Sequence, residues 1–235
     1  MSVYIGCFVG VGVGPGDPEL MTLKAVRHIE SADVIAFLVN DKGHSQAKDI
    51  ANLFIESQTL LPILMPMADD AKVGDAVYDQ ASEQIQSLLD DNKKVVFLCE
   101  GDPLFYASFT YLLSRLDHNS TLVVPGISSP QSAACALQHP LTMLTESYCV
   151  ITGRHDDAFI ESTLKNYDSI VIMKAGRARV KILNCLENSN RLNEAKYLEY
   201  IGRDNEFIEE DVTQLDKQAG PYFSMFVVTK KDRPR

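Results

Sequence analysis

Short apolar, β-branched runs at Val9–Val13, Val34–Leu38, Leu60–Met65, Val95–Cys99 and Leu122–Val124 are separated by stretches in which apolar residues recur at helical spacing. Strand-sized runs alternating with amphipathic segments predict a mostly parallel sheet with crossover helices. The clearest helix covers 75–90, where Val77, Ala81, Ile85, Leu88 and Leu89 share a face and Asp91-Asn92 acts as a stop. A second helix is expected to begin after Pro103, with Phe105, Phe109, Leu112, Leu113 and Leu116 on one side. Beyond Pro125-Gly126 the rhythm changes: helical patterns at Ser132–Leu137, 157–165 and 180–186 alternate with strands at Tyr148–Thr152, Ile170–Lys174, Tyr197–Ile201 and Tyr222–Thr229. The expected fold class is therefore α/β with two domains, residues 1–124 and 125–235, the first on a mostly parallel sheet and the second a mixed α/β unit.

Composition keeps this picture and narrows the setting. The 235 residues include 46% hydrophobic and 23% charged side chains, which is the balance of a chain that buries a core. No repeat with a period of about 20–50 residues interrupts it. Cys7, Cys99, Cys135, Cys149 and Cys185 are odd in number and form no C-x-x-C pair, so neither a disulfide framework nor a zinc ribbon is signalled. The first residues lack the basic region of a signal peptide and no apolar run is long enough for a bilayer, so a cytoplasmic protein without a membrane partner is expected. With 22 Lys+Arg against 32 Asp+Glu the net charge is −10, which opposes non-specific attraction to nucleic acid. His28 falls in a helical segment and His118, His139 and His155 in loops, with no histidine or cysteine cluster, so no metal site is expected.

Three loops concentrate small residues where a strand ends. The first, Gly10-Val11-Gly12-Val13-Gly14-Pro15-Gly16-Asp17-Pro18, allows close approach of another molecule. It does not satisfy G-x-G-x-x-G, because the third glycine position holds Pro15 or Asp17, and Pro15 lacks an N–H for a phosphate. A tight turn with Asp17 as N-cap and Pro18 at the first helical position is the simpler alternative. The second loop, Cys99-Glu100-Gly101-Asp102-Pro103-Leu104-Phe105-Tyr106-Ala107-Ser108, lies at a strand end where parallel sheets bind ligands; Asp102 alternatively caps the helix that Pro103 starts. The third is Val124-Pro125-Gly126-Ile127-Ser128-Ser129.

In order and spacing these loops resemble the G-x-G-P-G, G-D-P and P-G-[IV]-[ST]-[ST/A] motifs of the tetrapyrrole methylase family, across essentially the whole chain. Gly43-His44-Ser45-Gln46-Ala47, the Glu100–Phe109 segment, Met173-Lys174 with Gly176-Arg177, and Pro221-Tyr222-Phe223-Ser224-Met225 look like its precorrin-2 C20-methyltransferase branch; Ala107 departs from it, standing where glycine is common. The resemblance implies two α/β domains, usually in a homodimer, with S-adenosylmethionine in the cleft between them. It places cofactor contacts on Gly101, Asp102, Phe105, Ser128, Ser129, Met173 and Gly202, with Met173 alternatively an ordinary core residue. Substrate contacts fall on Gly14, Gly16, Asp17, His44, Arg154 and Arg177, and assistance with proton loss on Asp102 or Tyr222. Because guanidinium forks suit the carboxylates of a tetrapyrrole, Arg154, Lys174, Arg177 and Arg179 are read either as substrate ligands or as a solvated basic face. The implied reaction is methylation of C20 of precorrin-2 or its cobalt form on the route to cobalamin. Alternatives are methylation at C11, C17 or the uroporphyrinogen carbons, a non-catalytic S-adenosylmethionine-binding module, and an RNA-modifying member, which the acidic balance disfavours.

Overall fold

The computed structural model describes residues 6–66, 71–116 and 121–233, and it divides into two compact units, Met1–Ser129 and Pro130–Arg235. His118 lies outside the described residues. In the first unit β1 (Cys7–Gly12), β2 (Val34–Val39), β3 (Thr59–Leu64), β4 (Lys94–Cys99) and β5 (Thr121–Val124) form a sheet of order β3-β2-β4-β1-β5, with every pair parallel. The apolar runs are continuous because both faces are covered. Val9, Val11, Ile35, Val96 and Leu98 pack on α1 (Leu23–Glu30) and α2 (Gln46–Ala51). Phe8, Ala36, Val95 and Phe97 turn the other way onto α3 (Ala71–Asp90) and α4 (Phe109–Leu113). Each large apolar side chain taken out of water in this way contributes about 1.5–3 kcal/mol.

This strand order places a topological switch at β1 and β4. The chain leaves β1 toward β2 on one side, whereas β4 crosses over β1 to reach β5 on the other. Connections diverging in this way open a crevice at the carboxyl ends of the two strands.

In the second unit β6 (Tyr148–Thr152), β7 (Ser169–Met173), β8 (Ala195–Glu199), β9 (Phe207–Glu209) and β10 (Ser224–Thr229) take the order β6-β7-β10-β8-β9. Only β6 and β7 are parallel; β10 runs antiparallel to β7 and β8, and β9 to β8, so the sheet is mixed. Helices α6 (Asp157–Asn166) and α7 (Arg179–Asn188) cover one face through Ile160, Leu164, Ile182 and Leu186. Ala133 of α5 (Ser129–Ala136) packs with Val171, Leu198, Met225 and Val227 on the other.

Several elements differ from the sequence expectation. The helix expected after Pro103 starts only at Phe109, because Asp102 caps a local turn and Tyr106 takes a left-handed φ of +56°, which no helix accommodates. Residues expected to prolong strands instead end them: Lys174 (φ +53°) follows β7 and Tyr200 (φ +51°) follows β8, while β10 begins at Ser224 rather than at Tyr222. Strand β9, three residues long, and helix α2, six residues long, are too short to show a period in the sequence.

Candidate functional site

Parallel pairing puts Gly12 opposite Cys99, and the loops that follow continue to touch. The Val13 N–H donates to the Cys99 carbonyl at 2.9 Å, and Gly14 and Gly101 then exchange backbone hydrogen bonds of 2.8 and 3.3 Å. Gly101 holds φ +65° and Gly14 φ +81°, a region side-chain-bearing residues rarely adopt. The β5 loop closes on the same point. A Cβ on Gly126 would lie 2.1 Å from the Gly101 carbonyl oxygen, and one on Gly12 would lie 2.5 Å from that oxygen and 2.6 Å from the Gly126 nitrogen. Three backbone segments therefore meet without side chains between them, directly at the switch point.

Asp102 ties this junction together. One carboxylate oxygen accepts the Leu104 N–H at 2.9 Å and the other accepts the Gly126 N–H at 3.1 Å, so the side chain staples the β4 loop to the β5 loop instead of capping a helix. Cys99 beside it is fully buried; burial and then the Glu100 and Asp102 carboxylates push its thiol well above the usual range despite a bond from the Phe109 backbone, which leaves it neutral and unreactive. Phe105 is half-buried and meets Tyr106 edge to face, with Leu104 and Ile127 exposed nearby in sequence on the same loops. Ser128 and Ser129 are half-buried at the start of α5, and the Ser128 Cα lies 3.8 Å from the direction a Gly101 side chain would take. The edge is thus apolar, glycine-lined and bounded by short polar groups, and Pro15 denies it the run of amides that a phosphate requires.

The remaining first-unit residues sit on the same carboxyl edge with different commitments. Asp17 accepts the Glu19 N–H at 2.8 Å and caps a 3-10 turn, Pro18–Leu20, as the simpler reading holds, and Gly16 precedes it half-buried. His44, in the connection after β2, is paired with Asp49 at 2.8 Å and is 56% exposed.

In the second unit the register aligns Thr152 with Met173, Met173 with Met225, and Ser224 with Glu199. One edge of the sheet therefore gathers the ends of β6, β7 and β8 and the start of β10, and with them Arg154, Met173, Arg177, Gly202 and Tyr222. Met173 is half-buried, whereas Arg154, Arg177 and Tyr222 are exposed. The Gly202 amide donates to Glu206 at 2.7 Å, and the Arg203 guanidinium lies 4.0 Å from the Phe223 ring centroid and 5.8 Å from that of Tyr200. Arg179 does not belong with the other basic residues: it is 6% exposed and bonded to Asp216 and to the Gln218 carbonyl, so it does not serve as a carboxylate ligand at the surface. Lys174, read from the sequence as a substrate ligand or part of a solvated basic face, sits at this edge with a left-handed backbone, as does Tyr200, which sequence reasoning did not single out; nothing in a lysine or tyrosine announces that conformation. Backbone strain of this kind concentrates at ligand sites. Among the described residues no group of three or more His, Cys, Asp or Glu is placed to hold a metal, and no helix is long and apolar enough to cross a membrane.

Residues 8–216 match the family model described as Tetrapyrrole (Corrin/Porphyrin) Methylases. The chain belongs to the tetrapyrrole methylase family. It is 32% identical over 244 residues to a precorrin-2 C(20)-methyltransferase of a Sinorhizobium species, covering 99% of each protein. It is 33% identical over 230 residues to the cobalamin biosynthesis protein CobIJ of Mycobacterium tuberculosis; that match takes 94% of this chain but 45% of CobIJ, so the chain spans about half the length of that relative. Among solved structures, a uroporphyrin-III C-methyltransferase of Thermus thermophilus complexed with S-adenosylhomocysteine shares the fold at a TM-score of 0.65 and 21% identity, with 96% of this chain and 98% of that chain covered. The glycine junction of the first unit and the mixed sheet of the second are thus read within the tetrapyrrole methylase fold.

Proposed function

We propose that the chain is an S-adenosylmethionine-dependent C-methyltransferase that methylates C20 of precorrin-2, or of its cobalt form, in cobalamin biosynthesis. The observation that carries the cofactor assignment is the junction of Gly12, Gly101 and Gly126, where three loops pack backbone against backbone at the switch point, the place at which parallel sheets bind ligands. The near full-length likeness to a named precorrin-2 C(20)-methyltransferase supports the substrate.

S-adenosylmethionine supplies a methyl group on a positively charged sulfur. Holding it falls to Gly101, Phe105, Ser128 and Ser129 of the first unit and to Met173 and Gly202 of the second, largely through backbone and apolar contact. Gly14, Gly16, Asp17, His44, Arg154 and Arg177 are proposed substrate contacts, the two arginines meeting carboxylates with their forks. Because the reaction is an in-line displacement, these residues act mainly by fixing the acceptor carbon in the line of attack, and apolar walls keep water out. For Asp102 we propose an organising role, since both of its oxygens already accept backbone amides, and to Tyr222 we assign relay of the proton that the methylated carbon gives up. The functional form is proposed to be a cytoplasmic homodimer, to be checked by sedimentation.

Titration calorimetry with S-adenosylhomocysteine tests the cofactor reading: one site per chain is expected, and absence of binding to the folded protein overturns it. A transfer assay with labelled cofactor against a panel of tetrapyrroles tests the substrate class.

A further inference from the structure

The second unit buries a guanidinium that none of the roles above uses. Arg179 opens α7 and is 6% exposed, a position that is costly for a charge unless it is bonded throughout. Its Nε donates to the Gln218 carbonyl at 2.7 Å, Nη2 pairs with Asp216, and Nη1 lies 3.7 Å from Glu199 Oε1. Its guanidinium also lies over the Tyr197 ring, 5.6 Å from the centroid, and the Tyr197 hydroxyl donates to the same Glu199 oxygen at 2.8 Å.

The group is thus seated on Tyr197 and Glu199 of β8, while its two hydrogen-bonded arms reach one irregular stretch, 216–223, at Asp216 and Gln218. Gly220 passes so close to the group that a Cβ there would lie 2.3 Å from the Tyr197 hydroxyl and 3.3 Å from Arg179 Nη1. The Gly220 N–H donates to the Gly176 carbonyl at 2.9 Å, and a Cβ on Gly176 would lie 2.0 Å from the Pro221 oxygen. The Ser224 hydroxyl then holds that Pro221 oxygen at 2.7 Å. The path of the chain is set at Asp216 and Gln218 by the arginine fork and at Gly220-Pro221 by backbone contact, and what it delivers to the sheet edge is Tyr222, 47% exposed.

We propose that Arg179 is a positioning residue: its buried fork fixes the 216–223 segment and thereby the placement of Tyr222. The consequence for catalysis rests on the methyltransferase reading, whereas the clamp itself does not. A lysine cannot replace it, because a point charge reaches one partner while the fork spans a carbonyl and a carboxylate.

The chain contains no tryptophan, so Tyr222→Trp installs a single reporter. In that background Arg179→Met and Arg179→Lys should each at least double the acrylamide quenching constant of the reporter while far-UV circular dichroism stays native. In the chain with Tyr222 intact, the same substitutions should lower kcat/KM for methyl transfer at least tenfold. Asp216→Ala removes one arm at a side chain that is 64% exposed, so it should fold even if Arg179→Met does not, and it should also raise quenching. Unchanged quenching in a folded Arg179→Met or Asp216→Ala protein, or full rescue by Arg179→Lys, overturns the proposal. A wild-type protein that methylates no tetrapyrrole overturns the functional reading and leaves the quenching result to decide the clamp.

Discussion

The Asp102 carboxylate reaches the Gly126 amide at 3.1 Å, joining the loop after β4 to the loop after β5 across 24 residues of sequence. Its second oxygen holds the Leu104 amide, so one side chain shapes both of the loops that crowd Gly12. A residue engaged in this way acts on a ligand through the backbone it holds.

Replacing Asp102 by alanine removes the acceptor for two amides, each hydrogen bond being worth about 0.5–1.5 kcal/mol net. Affinity for S-adenosylhomocysteine should fall about tenfold, measured by calorimetry, while kcat at saturating cofactor stays within about threefold of wild type. A loss of about a hundredfold in kcat at unchanged affinity would instead assign Asp102 to proton transfer.

Gly126→Ala places a methyl group 2.1 Å from the Gly101 oxygen, against backbone that has nowhere to move. Overpacking of this kind costs about 1–3 kcal/mol or more, so the thermal midpoint should drop by about 5 °C and cofactor binding should be lost. Gly43→Ala is the control: its φ is +73° but nothing lies within 4 Å, leaving only left-handed strain of about 1–2 kcal/mol and intact binding. Equal loss of binding in the two variants would show that the close approach at Gly126 is not what matters.

Histidine 139 provides a pH-dependent contribution to stability. Burial, followed by the Arg233 and Lys196 charges, pushes its pKa below the ordinary 6.5, against an opposing effect of Glu146; its Nε2 lies 2.9 Å from both Thr229 Oγ1 and Arg233 Nη1. As pH falls through 6.5 the unfolded chain takes up the proton before the folded one does. This contribution is therefore complete above that value and is lost toward the depressed folded pKa. Urea midpoints should fall between about pH 7.5 and 5.5, and His139→Gln should reduce that fall without abolishing it, because His28 is shifted in the same direction. An identical slope in the variant would contradict the assignment.

What was legible in the sequence follows from where the physics is local. Runs such as Val95–Cys99 declare themselves because a strand covered on both faces has no polar positions, and the three glycine loops stand out because close backbone contact excludes every other residue. Asp102-Pro103 misled for a local reason: the pair reads as a helix cap, whereas tertiary contact with Gly126 holds the carboxylate in a turn. The left-handed Tyr106, Lys174 and Tyr200 carry no sequence signal, strand β9 spans only three residues in an acidic stretch, and the burial of Arg179 is set by the chain that folds over it.

What separates C20 methylation from the other ring methylations is the position of the new carbon–carbon bond. The loops proposed to hold the cofactor do not by themselves select it; on the proposed reading selection comes from how the macrocycle is oriented, and a difference of about 3 kcal/mol between competing poses gives more than a hundredfold preference. Incubating the protein with precorrin-2, or its cobalt form, and S-adenosylmethionine carrying a carbon-13 methyl group, then assigning the product by NMR, reads that position directly. One new labelled methyl, on C20, is expected; a methyl on another ring carbon, or no transfer to either form of the substrate, rules out C20 methylation by this protein.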